Sequence, residues 1–173
     1  MSNKNTKLIA LFPGKIYAAS GHLLFYAHAK YLDMGYEIIQ INYGNHNDMD
    51  DIKNHVLPQL QKVDFSTFDD VVFLSKSMGT VIAGWLEEQL GINIRHIYLT
   101  PLEATLQYMK CDKNISIVIS GTADSYLDAD KLAEHCIQNR IKLKLIEGAD
   151  HSLSIPGNLY ASIDILKQVV KFY

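Results

Sequence analysis

Residues 71–84 read VVFLSKSMGTVIAG, and the order of residue types in this stretch decides the fold. Four apolar β-formers, Val71 to Leu74, run straight into Ser-Lys-Ser-Met-Gly, and a helical pattern starts at Thr80 with no loop between. A strand that becomes a helix across five residues has to turn sharply, and the residue at the apex is pushed outward. That residue is Ser77. Its φ is expected to be positive, a state that non-glycine residues seldom adopt. Small neighbours, Ser75 and Gly79, are expected to pack against each other's backbones beside it.

Strands and helices alternate on both sides of this stretch. LIALF (8–12) reads as a buried strand ended by Pro13-Gly14. Apolar residues then recur at helical spacing from His22 to Met34, with Gly35 as the C-terminal cap. YEIIQINY (36–43) is strand-like, and Asp48 is placed to cap a helix carrying Ile52, Val56 and Leu60. Pro58 lies inside that helix and predicts a kink or two shorter helices. After the helix that ends at Gly91 come three more strands, IRHIYL (94–99), ISIVIS (115–120) and IKLKLIE (141–147). DADKLAEHCIQNR makes a helix between the last two, and another helix starts near Asn158.

Six strands, continuously apolar and separated by helices, describe a parallel sheet covered on both faces. The expected fold is α/β: a single domain over residues 1–173, with one doubly wound, mainly parallel six-stranded sheet flanked by helices.

The totals agree and exclude several classes. The chain has 173 residues, 48% hydrophobic and 20% charged, with a formal net charge of -3. That length suits one core. No block of like charge recommends nucleic acid or an anionic membrane as partner. The N-terminal apolar run is broken by Pro13 and Gly14 before a signal h-region is complete, and no stretch approaches the roughly 18 residues of a membrane span. Cys111 and Cys136 have no metal-ligand or redox spacing, and two free thiols point to a reducing compartment, the cytoplasm. No metal and no cofactor are called for.

Ligands of such sheets bind beyond the carboxyl ends of the strands. Three of the six strand ends offer Ser, Asp and His, in the chain order Ser77, Asp124, His151. Asp124 follows Ser77 by 47 residues and His151 follows Asp124 by 27, each interval long enough for a helix and a strand. The motifs are KSMG at the turn, GTAD after a strand and EGADHSL near the C-terminus. In that order they resemble the α/β-hydrolase superfamily, in particular its small serine hydrolases without a lid. The resemblance covers nearly the whole chain, from Leu8 to Tyr173. The family's antiparallel edge pair is missing, and its Gly-x-Ser-x-Gly elbow has Ser75 in place of the first glycine.

The resemblance implies roles for particular residues. Ser77 would be the nucleophile, His151 its general base and then acid, and Asp124 the group that orients the imidazole. Asp128, four residues on, is the competing acid, whereas Asp150 adjoins the histidine and is badly placed to reach round to its ring. Backbone N–H groups would form the oxyanion hole. Met78 supplies one as the residue after the nucleophile. The other comes from the loop after the first strand, where Pro13 has no N–H; Gly14 or Lys15 is left, and the family pattern favours Lys15. Tyr17 and Gly14 are expected near the substrate. Lys76 adjoins Ser77 and cannot easily reach its hydroxyl, so it is expected over the sheet edge or in solvent.

The activity implied is hydrolysis of an ester or thioester of a small-molecule acyl compound through an acyl-enzyme. The alternative is a non-catalytic, hydrolase-like interaction protein. A phosphate binder using Lys76-Ser77 would need the Gly-x-x-x-x-Gly-Lys motif, which does not occur. About a dozen residues separate Leu99 from the next strand, too few for an inserted lid domain.

Overall fold

The computed structural model describes residues 6–15, 21–46 and 48–173. Its strands are β1 (Lys7–Phe12), β2 (Glu37–Gln40), β3 (Asp70–Lys76), β4 (Arg95–Leu99), β5 (Ile115–Gly121) and β6 (Leu143–Ile146). Its α-helices are α1 (His22–Asp33), α2 (Met49–Gln61), α3 (Met78–Leu90), α4 (Ala129–Gln138) and α5 (Leu159–Val170). The six strands form one sheet in the order β2-β1-β3-β4-β5-β6, and every pairing is parallel. The chain winds outward from β1 to β2, then returns across β1 to β3 and continues in the other direction. The strand order therefore reverses between β1 and β3, where a crevice opens at their carboxyl ends.

Alternation along the strands divides the core into two layers. Ile9, Leu11, Val72, Leu74, Ile97 and Leu99 face α1 and α5. Ala10, Phe12, Phe73, Tyr98 and Val118 face α2, α3 and α4. Helices on both faces explain why each central strand is apolar on consecutive positions. The α1–α5 layer is tied by polar contacts as well. Lys30 Nζ donates to the Val170 carbonyl at 2.8 Å, and the Tyr173 hydroxyl donates to the Leu23 carbonyl at 3.2 Å.

Several elements differ from the sequence expectations; β2 and β6 are shorter than their apolar runs. β3 runs on to Lys76 and α3 begins at Met78, so the turn between them is tighter than a strand ending at Leu74 would allow. Pro58 does not divide α2, a single 13-residue helix. Pro58 and Asn54, whose carbonyl the proline leaves without an N–H, are both exposed, and water can take the place of the missing donor. Between β4 and β5 the chain makes a short 3-10 helix, Glu103–Tyr108. Among the described residues no helix is long and apolar enough to cross a membrane.

That 3-10 helix packs on α3 through Gly84. A Cβ at Gly84 would lie 2.6 Å from Cβ and Cγ of Tyr108. Alanine in a helix interior is favoured over glycine by about 1 kcal/mol, but overpacking costs typically about 1–3 kcal/mol. Gly84→Ala is therefore expected to destabilise the protein by about 1 kcal/mol in a urea titration. A rise in the unfolding midpoint would mean that Tyr108 moves aside freely.

Candidate active site

Ser77 joins β3 to α3 with φ 54° and ψ -123°. These angles lie outside both the β region and the left-handed helical well, and such a residue costs of order 1–3 kcal/mol. Hydrogen bonds hold it on both sides. Its N–H donates to the Leu99 carbonyl at 3.0 Å, and its carbonyl accepts from the Thr80 N–H at 2.9 Å and the Thr80 hydroxyl at 2.6 Å.

The end of β1 presses against the start of α3. A Cβ on Gly79 would sit 2.5 Å from the Phe12 carbonyl oxygen and 2.7 Å from that of Pro13. The tightest crowding that requires glycine at position 79 thus comes from the end of β1, a neighbour the sequence did not indicate. Ser75 lies between Phe12 and Tyr98 in the sheet register, and its buried hydroxyl has no hydrogen-bond partner among the described residues.

His151 follows β6, and its ring reaches Ser77. Nε2 is 2.8 Å from Ser77 Oγ, while Nδ1 is 2.9 and 2.8 Å from the two carboxylate oxygens of Asp124. A carboxylate accepts but does not donate, so the proton of the neutral ring belongs on Nδ1. Nε2 is then bare and accepts from the serine hydroxyl. Asp124 is buried and takes a further hydrogen bond from the Tyr126 N–H at 2.9 Å. The competing aspartates are engaged elsewhere. Asp128 caps α4 by accepting from the Lys131 N–H at 2.9 Å. Asp150 accepts from the N–H groups of Ser152 and Ser154 and so shapes the histidine loop.

The loops after β5 and β6 are joined directly to each other. The Ala123 N–H donates to the Ala149 carbonyl at 2.9 Å, and the Gly148 N–H donates to the Thr122 hydroxyl at 2.8 Å. Gly121 permits this closeness, because a Cβ there would fall 1.9 Å from the Ala149 carbonyl oxygen. Within GTAD the aspartate attracted notice in the sequence, yet the glycine determines whether the two loops can meet.

A cavity of about 590 Å³ opens beside Ser77 and His151. Met49, Ile52, Met78, Leu102 and Tyr126 give it a largely apolar wall, with Gly14 and Lys15 at the end of β1. Met78, Gly14 and Lys15 thus border the same space as the serine hydroxyl. Tyr43 donates to the Pro13 carbonyl at 2.8 Å and steadies the beginning of that loop. Tyr17 lies outside the described residues. Tyr126, which sequence reasoning missed, lies over the His151 ring with centroids 4.2 Å apart. No periodicity marks it, since it stands in a loop.

Lys76 contradicts the expectation of a solvent or sheet-edge position. It is 2% exposed. Its ammonium donates to the His151 carbonyl at 2.9 Å and to the Thr100 hydroxyl at 3.2 Å. Burial pushes its pKa down to about 8, against the opposing pull of Asp124 and Asp150. Among the described residues no group of three or more His, Cys, Asp or Glu is placed to hold a metal ion.

Gly121→Ala should force the two loops apart. We expect a loss of stability of roughly 1–3 kcal/mol together with loss of the downfield His151 Nδ1–H proton resonance in NMR spectra. Retention of that resonance at wild-type position would show that the loops absorb the added methyl group without separating.

Comparisons with known proteins agree with this architecture. No protein-family model matches the sequence, and no curated protein does either. Solved structures do match. A structure of an α/β serine hydrolase homologue from Coxiella burnetii superposes with a TM-score of 0.73 at 13% identity, covering 97% of this chain and 85% of that one. An esterase from Pyrococcus furiosus superposes at 0.71 with 13% identity, covering 98% and 83%. A serine hydrolase without lid from Xanthomonas campestris superposes at 0.66 with 12% identity, covering 99% and 84%. At these identities the likeness is one of architecture, and it is consistent across the three: this chain has the α/β-hydrolase fold.

Proposed function

We propose that the chain is a serine hydrolase that cleaves an ester or thioester of a small acyl compound through an acyl-enzyme. The observation that carries this reading is the unbroken hydrogen-bonded line from Ser77 through His151 to Asp124, contributed by three different strand ends. Similarity to serine hydrolases and an esterase supports it.

The chemistry follows from the geometry. The acyl group rests against the apolar wall of Met49, Ile52 and Leu102, with Gly14 beside the substrate. Ser77 Oγ attacks the carbonyl carbon while Nε2 of His151 takes its proton. Asp124 holds the ring by Nδ1–H and stabilises the imidazolium. Negative charge gathers on the former carbonyl oxygen, where the N–H of Met78, at the N-terminus of α3, and that of Lys15 donate to it. The bond to the leaving alcohol or thiol then breaks, and the imidazolium returns its proton to the departing oxygen or sulfur. Water, deprotonated by the same nitrogen, releases the acid and regenerates Ser77. The free thiols of Cys111 and Cys136 suit a cytoplasmic setting.

A fluorophosphonate probe tests the nucleophile: Ser77→Ala is expected to abolish labelling and leave the fold intact. Labelling that persists in the variant overturns the assignment. Failure of the wild-type protein to label would favour a hydrolase-like interaction protein. For the acid, Asp124→Asn presents the wrong tautomer to Ser77, and kcat on p-nitrophenyl acetate should fall by about 10³ to 10⁴ with little change in KM. If Asp128→Asn causes the larger loss, the acid is misassigned.

A further inference from the structure

Lys76 immediately precedes Ser77, yet the chemistry above gives it no part. It borders the same cavity as Ser77, and its ammonium bridges two elements at the sheet's carboxyl edge. One is Thr100 at the end of β4, itself at an unusual φ of 42°; the other is the main-chain carbonyl of His151. The histidine loop needs such support. It turns through positive φ at Gly148 (68°) and at Leu153 (55°), and β6, which leads into it, is four residues long. Asp124 and Tyr126 hold the ring of His151, whereas Lys76 holds its backbone.

Titratable groups face the ammonium from several elements. Asp124 comes from the loop after β5, Asp150 and His151 from the loop after β6, and His22 from the start of α1. The two aspartates favour the charged lysine. His22 is held below its ordinary value by burial and by the lysine's charge.

Burial makes a charged lysine costly at this place. Its pKa in the folded protein lies near 8, below its ordinary 10.5. Between those two values the unfolded chain binds more protons, so stability rises with pH across that window. Below pH 8 the whole penalty of burying the charge is in force. An apolar side chain of the same length would remove it, while leaving the His151 carbonyl and the Thr100 hydroxyl without this donor. Residues that weaken a fold under working conditions are characteristic of functional positions.

We propose that Lys76 is a positioning residue: anchored on Thr100, it grips the carbonyl of His151 and sets the imidazole at its distance from Ser77. Lys76 and Ser77 share a peptide bond, so the strut and the nucleophile move together, and the lysine acts as a ruler between nucleophile and base. This assignment rests on the reading of Ser77 and His151 as that pair. Misplacing a reacting group by about 1 Å can lower a rate by about 10²-fold.

The test measures fluorophosphonate labelling of Ser77 in the full chain, with kinact and KI resolved from pH 6 to 10, beside thermal melts. Lys76→Met should melt near the wild-type temperature at pH 7. Its kinact should fall about 10- to 100-fold at unchanged KI, and the alkaline limb expected of the wild type near pH 8 should be absent. Lys76→Gln, which keeps N–H donors without the charge, should recover part of the rate, and it stands as the test if the methionine variant does not fold. Wild-type kinact and pH profile in these variants would overturn the proposal while leaving Ser77 as nucleophile. A fall in kinact accompanied by a lower melting temperature and raised KI would also overturn it, as the mark of a merely structural role. No labelling of the wild type would remove the underlying reading of Ser77 itself.

Discussion

The close approach of the end of β1 to the start of α3 is the constraint on which the upper edge of the sheet depends. Only a residue without a side chain fits at position 79, where the Phe12 and Pro13 carbonyls lie against the helix. Because α3 begins there, Met78 borders the same cavity as the loop that leaves β1. Because β3 must reach that same point, Ser77 is forced to a positive φ and its hydroxyl is projected over the crevice. The strain of order 1–3 kcal/mol is tolerable because β3 is central, paired on both sides and buried between two layers of helix. A strand at the edge of the sheet would relax instead.

The two halves of the crevice are built by different means. On the β1–β3 side, rigidity comes from backbone packing and from a strained turn with little freedom to move. On the β5–β6 side it comes from hydrogen bonds between two loops, with Gly121 allowing them to touch. His151 spans the halves. Its ring is fixed from the β5 side by Asp124, and its carbonyl is contacted from the β3 side by Lys76.

Much of this was legible in the sequence, for physical reasons that differ from residue to residue. Ser77, Asp124 and His151 stood out because a parallel sheet brings all its strand ends to one edge, so residues distant in the chain become neighbours. The abrupt passage from Val71–Leu74 to a helical pattern was itself the sign of a strained turn. Lys76 was misjudged because sequence adjacency correctly excludes contact with the Ser77 hydroxyl but says nothing of where the side chain goes instead. β3 extends two residues beyond its apolar run, and alternation then turns Lys76 to the same face as Val72 and Leu74, into the protein. Gly79 was recognised as small without the Phe12 and Pro13 carbonyls that crowd it, and the crowding at Gly121 was missed, since the atoms that crowd a glycine belong to a distant part of the chain. Pro58 misled in the opposite direction: its helix continues because its exposed position makes a missing hydrogen bond inexpensive.

The strand that delivers His151 has a further consequence. β6 is the outermost strand on its side, four residues long, and three of those four are only half-buried. Cooperative units at the margin of a sheet open at lower free energy than the centre. The serine therefore belongs to the last part of the molecule to come apart and the histidine to one of the first. Under gentle heating or mild denaturant the line of hydrogen bonds would break from one end, while the central strands still exclude water. Whatever chemistry the crevice supports would then vanish reversibly in a molecule that is still mostly folded.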